Sequence, residues 1–318
     1  MAHIVVVGAG GFIGGALAAR LAESGAEIRA VTRRPANLPS GVPAIALGTL
    51  ASSTDWTALF EGARSVVHLA SGPNPTAAAA ISPDWEETEV AAARHLARSA
   101  AASGVPQLLL VSSAKVHGED TRPGNPLTSD SPLAPADSYA VVKLRTEQAM
   151  ADAVQRSGTA LAVIRPPLVY GPGVKGNFRA ILHLVRRAPV LPFASIANRR
   201  SLVYLGNLVD LVMAVLRRAA PVRGSFLARD DEDLSTPELI RRIGRHLGRT
   251  PILLPCPAAL LTLGARALGQ RAAIDRLTQS LQLDDHATRA ALGWTPPLAV
   301  DRGLAETCRW FLDWERDR

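Results

Sequence analysis

Lysine is nearly missing from this 318-residue chain: of 35 basic residues only Lys115, Lys143 and Lys175 are lysines, and arginine supplies the rest. Aromatic residues make up only 4% and do not interleave with a basic stripe, so no nucleic-acid surface is expected. Cysteine occurs twice, at Cys256 and Cys308, with neither a disulfide framework nor metal-ligand spacing. Both thiols read as buried or indifferent, and no metal is expected. No run of 18 uncharged apolar residues exists; the longest candidate, residues 251–263, is short and broken by Pro255 and Pro257. No transmembrane span is therefore expected. Nothing resembling a basic leader or a cleavage site precedes Ile4-Val5-Val6-Val7, which reads as a cytoplasmic protein. No internal repeat is visible.

What is present is a chain with 47% hydrophobic residues, long enough for a sizeable core. Its net charge of +7 suits polyanionic ligands such as dinucleotides and nucleotide sugars, and also an anionic membrane. Short β-branched runs predict strands at 4–7, 28–31, 44–47, 65–69, 108–112 and 161–164. Helices are predicted at 12–23, 84–102 (capped by Ser82 or Asp84) and 138–156. Strands spaced by helices of this length imply parallel βαβ units, hence an α/β fold with a Rossmann-type doubly wound sheet. After Pro166 the rhythm weakens. Helices are predicted at 178–187, 205–218, 237–247 with Thr236 as cap, and 285–292. Residues 1–170 read as a dinucleotide-binding domain and 171–318 as a smaller, mostly helical substrate-binding domain that returns a strand and a helix to the main sheet.

The first predicted strand runs directly into Gly8-Ala9-Gly10-Gly11-Phe12-Ile13-Gly14 and then into a helix. Glycines at 8, 11 and 14 serve a tight turn, close approach of backbone to a pyrophosphate, and close helix–strand packing. The helix N-terminus offers free N–H groups to the phosphates, with Phe12 and Ile13 in its first turn. The second strand ends in Thr32-Arg33-Arg34, where NAD sites carry an acidic residue for the ribose 2′-hydroxyl. Arg33 and Arg34 suit a 2′-phosphate, so NADP is expected, with NAD as the alternative.

Tyr139 and Lys143 are four residues apart on a predicted helix and share a face. With three tyrosines and three lysines in the chain, this spacing carries weight. A phenol is a poor base at neutral pH, and a nearby ammonium is expected to lower its pKa. Ser113, just past the fifth strand, is placed to hold a substrate oxygen while its proton moves, with Ser112 as the rival. The trio Ser113, Tyr139 and Lys143 predicts hydride transfer at a carbinol or keto carbon.

These residues, together with VVHLAS (66–71), VSSAKVHGE (111–119), RPPLVYGPG (165–173), NRRSLVYLGNLVD (198–210) and ALGWTPP (291–297), resemble the extended short-chain dehydrogenases of the nucleotide-sugar epimerase/dehydratase type. Dehydratases of that family carry Thr-Asp-Glu where this chain has Ser113-Ala114-Lys115, so elimination of water lacks its acid and base. The chain looks most like the UDP-glucose 4-epimerase group and the 4-ketoreductases that make 2-acetamido-2,6-dideoxyhexoses such as quinovosamine for surface polysaccharide. The resemblance implies that Arg200 clamps the substrate diphosphate and that Asn177 binds near the same phosphates or the uridine. It also places Pro166 by the nicotinamide, Ala70 and Leu50 near the ribose and adenine, and a homodimer on the helices near 84–103 and 138–156. His117 stands where the family has Tyr and reads as a neutral loop histidine; Glu89 replaces a common Asn, and Thr49 a common Asp near adenine. NADPH-dependent 4-keto reduction is the leading expectation, 4-epimerisation the second and a non-catalytic dinucleotide-binding subunit the third. A lipid-linked sugar substrate fits the same reading.

Overall fold

The computed structural model describes residues 2–34, 38, 41–70, 83–122, 124–257, 260–261, 263 and 271–317, excepting the side chains of 83–85 and 271–273. In chain order the first half comprises β1 (His3–Val7), α1 (Phe12–Glu23), β2 (Ile28–Thr32), β3 (Ala44–Ala46), α2 (Thr57–Phe60), β4 (Ala63–His68), α3 (Pro83–Ala102), β5 (Gln107–Val111), a 3-10 turn (Ala114–His117), α4 (Ser138–Val154) and β6 (Ala160–Arg165). The second half comprises β7 (Leu168–Tyr170), α5 (Gly176–Arg187), β8 (Val190–Leu191), β9 (Leu202–Tyr204), α6 (Leu205–Leu216), β10 (Gly224–Leu227), α7 (Thr236–His246), β11 (Ile252–Leu253), α8 (Arg271–Thr278), α9 (His286–Leu292) and α10 (Val300–Arg316).

Seven parallel strands form the central sheet in the order β10-β6-β5-β4-β1-β2-β3. Because successive side chains of a strand point to opposite faces, β1 divides its apolar residues between two cores. Ile4 and Val6 meet Leu17 and Leu21 of α1 and Leu208 and Leu211 of α6. Val5 and Val7 join Trp56 and Phe60, Leu96 and Ala97 of α3, and Met150 and Val154 of α4. All five residues of β1 are buried, as a strand covered on both faces must be. A third core joins α5, α7 and α10 through Phe178, Ile240, Ile243, Leu304 and Phe311.

β10 pairs with β6, so a strand from beyond residue 170 completes the main sheet. Two short parallel ladders, β7–β9 and β8–β11, lie outside it. The α7 cap is Ser235 rather than Thr236. Ser235 Oγ accepts from Glu238 N and Glu238 Oε2 accepts from Ser235 N, a reciprocal capping box. Thr236 instead donates its hydroxyl to the Leu277 carbonyl at 2.6 Å. Helix α3 begins at Pro83, which puts Asp84 inside the first turn; Ser82 lies outside the described residues. No helix among the described residues is long and apolar enough to cross a membrane. Both cysteines are free, and burial pushes the Cys308 thiol up to about 12.

Candidate active site

The carboxyl ends of the parallel strands deliver the motif residues to one edge. Gly8 follows β1, Arg33 follows β2, Ala70 lies just past β4, Ser113 just past β5, and Pro166 follows β6. This is the edge where open α/β sheets bind ligands.

The three glycines of the first loop have three separate reasons to be glycine. Gly8 adopts φ +93°, and a Cβ there would sit 2.6 Å from the Ala70 nitrogen. A Cβ on Gly14 would lie 2.1 Å from the Gly8 oxygen and 2.8 Å from the Ala9 Cα, so Gly14 lets α1 press on the loop. At Gly11 a Cβ would meet only the Gly8 oxygen, at 3.2 Å, which leaves its outer side open. Gly11 is also the N-cap of α1, and no side chain caps that end. The loop therefore presents a bare helix N-terminus at an open glycine, the form that fits a dinucleotide pyrophosphate. Gly14→Ala is expected to destabilise the fold by about 1–3 kcal/mol and to abolish dinucleotide binding. Gly11→Ala should keep its melting temperature and lose affinity alone. Thermal unfolding with and without dinucleotide separates the two, and equal behaviour would contradict this division of roles.

At the end of β2, Thr32 is buried and donates its hydroxyl to the Arg34 carbonyl at 2.8 Å. Arg33 and Arg34 are exposed and make no ion pair among the described residues. Leu50 and Ala70 are half-buried against the core beneath α3 and α4. Thr49 is exposed.

Asp137 caps α4, its Oδ1 accepting from Ala140 N at 2.7 Å, and this fixes the turn that carries Tyr139. Asp137 Oδ2 also accepts from Lys115 Nζ at 2.6 Å, and Lys115 pairs with Glu119 as well. Lys115 thereby ties the 3-10 turn behind Ser113 to the start of α4, the helix that carries Tyr139. Ser113 caps that turn, its Oγ accepting from Lys115 N at 3.2 Å. Its own proton stays available for donation. The Ser112 Oγ is sealed from solvent without a partner, so it cannot reach a ligand in this arrangement.

Lys143 is buried and its Nζ lies 5.8 Å from the centre of the Tyr139 ring. Burial lowers the Lys143 pKa, while Glu89 and Glu147 act in the opposite direction. The half-buried Tyr139 has its phenol pushed up to about 12, first by burial and then by Asp137 and Glu89. The lowered phenol pKa expected from the sequence is thus absent in the chain by itself, because burial and two carboxylates outweigh the ammonium. A protonated phenol beside an ammonium is a proton donor at neutral pH. His68, at the end of β4, is held neutral by burial and by Lys143, its pKa lowered to about 3, and its Nδ1 has no partner.

Behind these residues lies a buried ion pair. Arg165 Nη2 donates to Glu147 Oε2 at 2.6 Å, and its Nε donates to both carboxylate oxygens at 3.1 and 3.2 Å. Arg165 Nη1 also meets His117 Nε2 at 2.9 Å, while His117 Nδ1 lies 2.9 Å from the Ser131 carbonyl. These bonds assign the proton to Nδ1 and keep the imidazole neutral, in line with a pKa lowered by burial and by Arg165. Alanine 114 N donates to the Pro166 carbonyl at 2.9 Å, which joins the 3-10 turn to the end of β6.

On the substrate side, Arg200 is half-buried and donates through Nη1 to the Gln279 carbonyl at 2.9 Å. Burial lowers its pKa, and Glu119 and Arg276 are its charged neighbours. Arg276 makes no ion pair among the described residues and adds a second positive charge to the electrostatic surroundings of Arg200. Sequence reading overlooked Arg276 because nothing in its surroundings marks it; only the fold brings α8 to Arg200. Asn177 is exposed in the first turn of α5 and makes no hydrogen bond among the described residues. Two cavities, of about 680 Å³ between α5 and α10 and about 900 Å³ beside α1 and α6, are not lined by Ser113, Tyr139 or Lys143.

Glu89 acts on both Tyr139 and Lys143. Arg145 of α4 pairs with Glu86 and Glu87 of α3, which pins the first turns of α3 beside this part of α4. Removing the carboxylate by Glu89→Gln lowers the Tyr139 pKa. The alkaline limb of any step in which the phenol gives up its proton is expected to move to lower pH. A pH–rate profile checks this, and an unmoved limb would show that the carboxylate is uncoupled from the tyrosine.

A parallel sheet with a bare glycine-loop helix end and a Ser–Tyr–Lys group at its carboxyl edge defines a dinucleotide-dependent oxidoreductase architecture. The model of the NAD dependent epimerase/dehydratase family matches residues 4–226. The chain belongs to that family of enzymes. It is 33% identical over 313 residues to a UDP-glucose 4-epimerase of Vibrio cholerae, covering 97% of this chain and 95% of that one. It is 21% identical over 248 residues to an N-acetyl-alpha-D-glucosaminyl-diphospho-ditrans,octacis-undecaprenol 4-epimerase of Escherichia coli O157:H7, covering 73% and 74%. Among solved structures, MoeE5 in complex with UDP-glucose and NAD superposes with a TM-score of 0.76 at 22% identity, covering 98% and 99% of the two chains. That likeness extends the seven-stranded fold to the whole length.

Proposed function

We propose that this enzyme moves a hydride at carbon four of a nucleotide-activated sugar, as an NADPH-dependent 4-ketoreductase of a UDP-2-acetamido-2,6-dideoxyhexulose in surface-polysaccharide synthesis. The observation that carries the reading is the end of β2. The sequence there, Thr32-Arg33-Arg34, carries no carboxylate, the Thr32 hydroxyl is tied to the Arg34 carbonyl, and Arg33 and Arg34 are exposed without an ion pair among the described residues. That edge suits a 2′-phosphate and disfavours none of the rest of the dinucleotide. Gly8, Gly11, Phe12, Ile13, Gly14, Leu50, Ala70 and Pro166 would hold the dinucleotide, which when bound supplies the hydride. Tyr139 gives its phenol proton to the C4 carbonyl oxygen as that oxygen becomes a hydroxyl. Ser113 donates a hydrogen bond to the same oxygen, and Lys143 holds positive charge beneath the ring as the phenolate forms. Arg200, with Arg276 beside it and Asn177 nearby, holds the substrate diphosphate.

The Vibrio cholerae relative favours a second reading, 4-epimerisation of a UDP-hexose or UDP-N-acetylhexosamine. In that case Tyr139 takes the proton from the C4 hydroxyl and returns it after the keto sugar has turned over. The bound dinucleotide is then NAD, as in the MoeE5 complex. A homodimer through α3 and α4 and a cytoplasmic location fit both readings. Denaturing the purified protein and identifying the released dinucleotide decides between them. An empty protein that binds NADPH well above NADH is expected. Tightly held NAD near one per chain would overturn the reductase in favour of the epimerase.

A further inference from the structure

Six large apolar side chains are exposed among the described residues, and five of them fall in one region: Val190 at 44%, Ile252 at 59%, Leu254 at 49%, Leu260 at 58% and Leu263 at 64%. The β8–β11 register sets Val190 directly beside Ile252, so both project from one face of the ladder, and Leu254, two residues on, follows Ile252. The alternate residues Leu191 and Leu253 turn inward to the core of α5, α7 and α10. Leu260 and Leu263, three apart in a helical turn, likewise sit opposite the inward-packed Leu261.

The sequence carrying this face has charge of one sign, although Arg187 also shares a cavity with Asp313 and Glu315 of α10. The chain has 28 acidic residues, yet the stretches 153–209 and 239–274, in which the five apolar residues fall, contain neither Asp nor Glu. Arg187 lies three residues before Val190, and Arg249 three before Ile252. Arg241 and Arg245 lie on α7, whose Gly244 abuts Pro251 at the start of the β11 segment. All four arginines are exposed, with no ion pair among the described residues.

We infer that this face docks on an anionic lipid bilayer. The five apolar side chains enter the boundary between headgroups and acyl chains, and the four arginines meet lipid phosphates. A second copy of the chain is the poorer occupant, because a two-fold contact through this face would set arginine against arginine.

Sedimentation of the full chain with vesicles tests this. Binding is expected to phosphatidylcholine vesicles containing phosphatidylglycerol, little to phosphatidylcholine alone, and a loss of binding as salt rises. The double variant Ile252→Ser/Leu254→Ser should bind about ten-fold more weakly or worse, and Arg245→Ser and Arg249→Ser about five-fold each. Melting temperature and turnover of a water-soluble nucleotide sugar should stay unchanged. Absence of vesicle binding overturns the inference, as does binding that the double variant leaves intact. A raised KM in the double variant overturns it too, by making the face a wall of the substrate pocket. So does a change from dimer to monomer with vesicle affinity unaltered. None of these outcomes depends on whether the enzyme is a reductase or an epimerase.

Discussion

Tyr139→Phe should lower turnover by about 10²–10⁴-fold while leaving dinucleotide affinity and melting temperature near those of the parent. Only the hydroxyl group is removed, and the ring stays where Lys143 Nζ lies 5.8 Å from its centre. Lys143→Met should cost a similar factor for a different reason. A buried ammonium can only exist there because Glu89 and Glu147 act against the burial, and its removal leaves the nascent phenolate without a counter-charge. Steady-state kinetics alongside dinucleotide titration makes the distinction. Unchanged turnover in Tyr139→Phe would show that a group other than this phenol carries the proton.

Glu147→Ala is expected to destabilise the fold by about 3–5 kcal/mol, read by denaturant unfolding. The Arg165 side chain is 7% exposed and the Glu147 side chain 6%, so deleting one partner strands the other's charge away from water. The double variant Glu147→Met/Arg165→Met should recover much of that loss, since no charge is left buried. The contrast is the point of the experiment: if the single and double variants were equally unstable, packing rather than the ion pair would hold β6 to α4. Activity should fall in the double variant, because Arg165 also anchors His117 at the foot of the 3-10 turn that follows Ser113.

The sheet was readable because its strands are β-branched runs with helices between them, and α1 was predicted at 12–23, the bounds it has. The local frame of Ser113, Tyr139 and Lys143 was readable because the 3-10 turn and α4 are local elements whose geometry follows from a few neighbouring residues. What escaped was long-range. The pair Arg165–Glu147 joins positions 18 residues apart, and Arg276 acts on Arg200 only because the fold returns the segment after α8, whose Gln279 carbonyl accepts from Arg200. The ladders β7–β9 and β8–β11 have two or three residues per strand, too few to show a period. Helix α10 was missed although Val300, Leu304, Cys308 and Phe311 fall on one buried side, because Ala299 gives it no capping side chain to announce its start. The tyrosine pKa went the other way from expectation, since the cost of burial is a property of the folded cleft.

The pairing of β10 with β6 bears on how such enzymes exchange specificity. The chain leaves the sheet at β6, builds the β7–β9 ladder and α5, and comes back to supply the strand that closes the edge. A single crossover near residue 170 would hand the recipient a sheet whose last strand belongs to the other parent. Its core-facing Phe226 would then have to match a foreign Ile164, its register partner on β6. Swapping substrate preference between relatives by recombination therefore calls for segments excised on both sides of β10, and single-junction chimaeras should fail to fold before they fail to select.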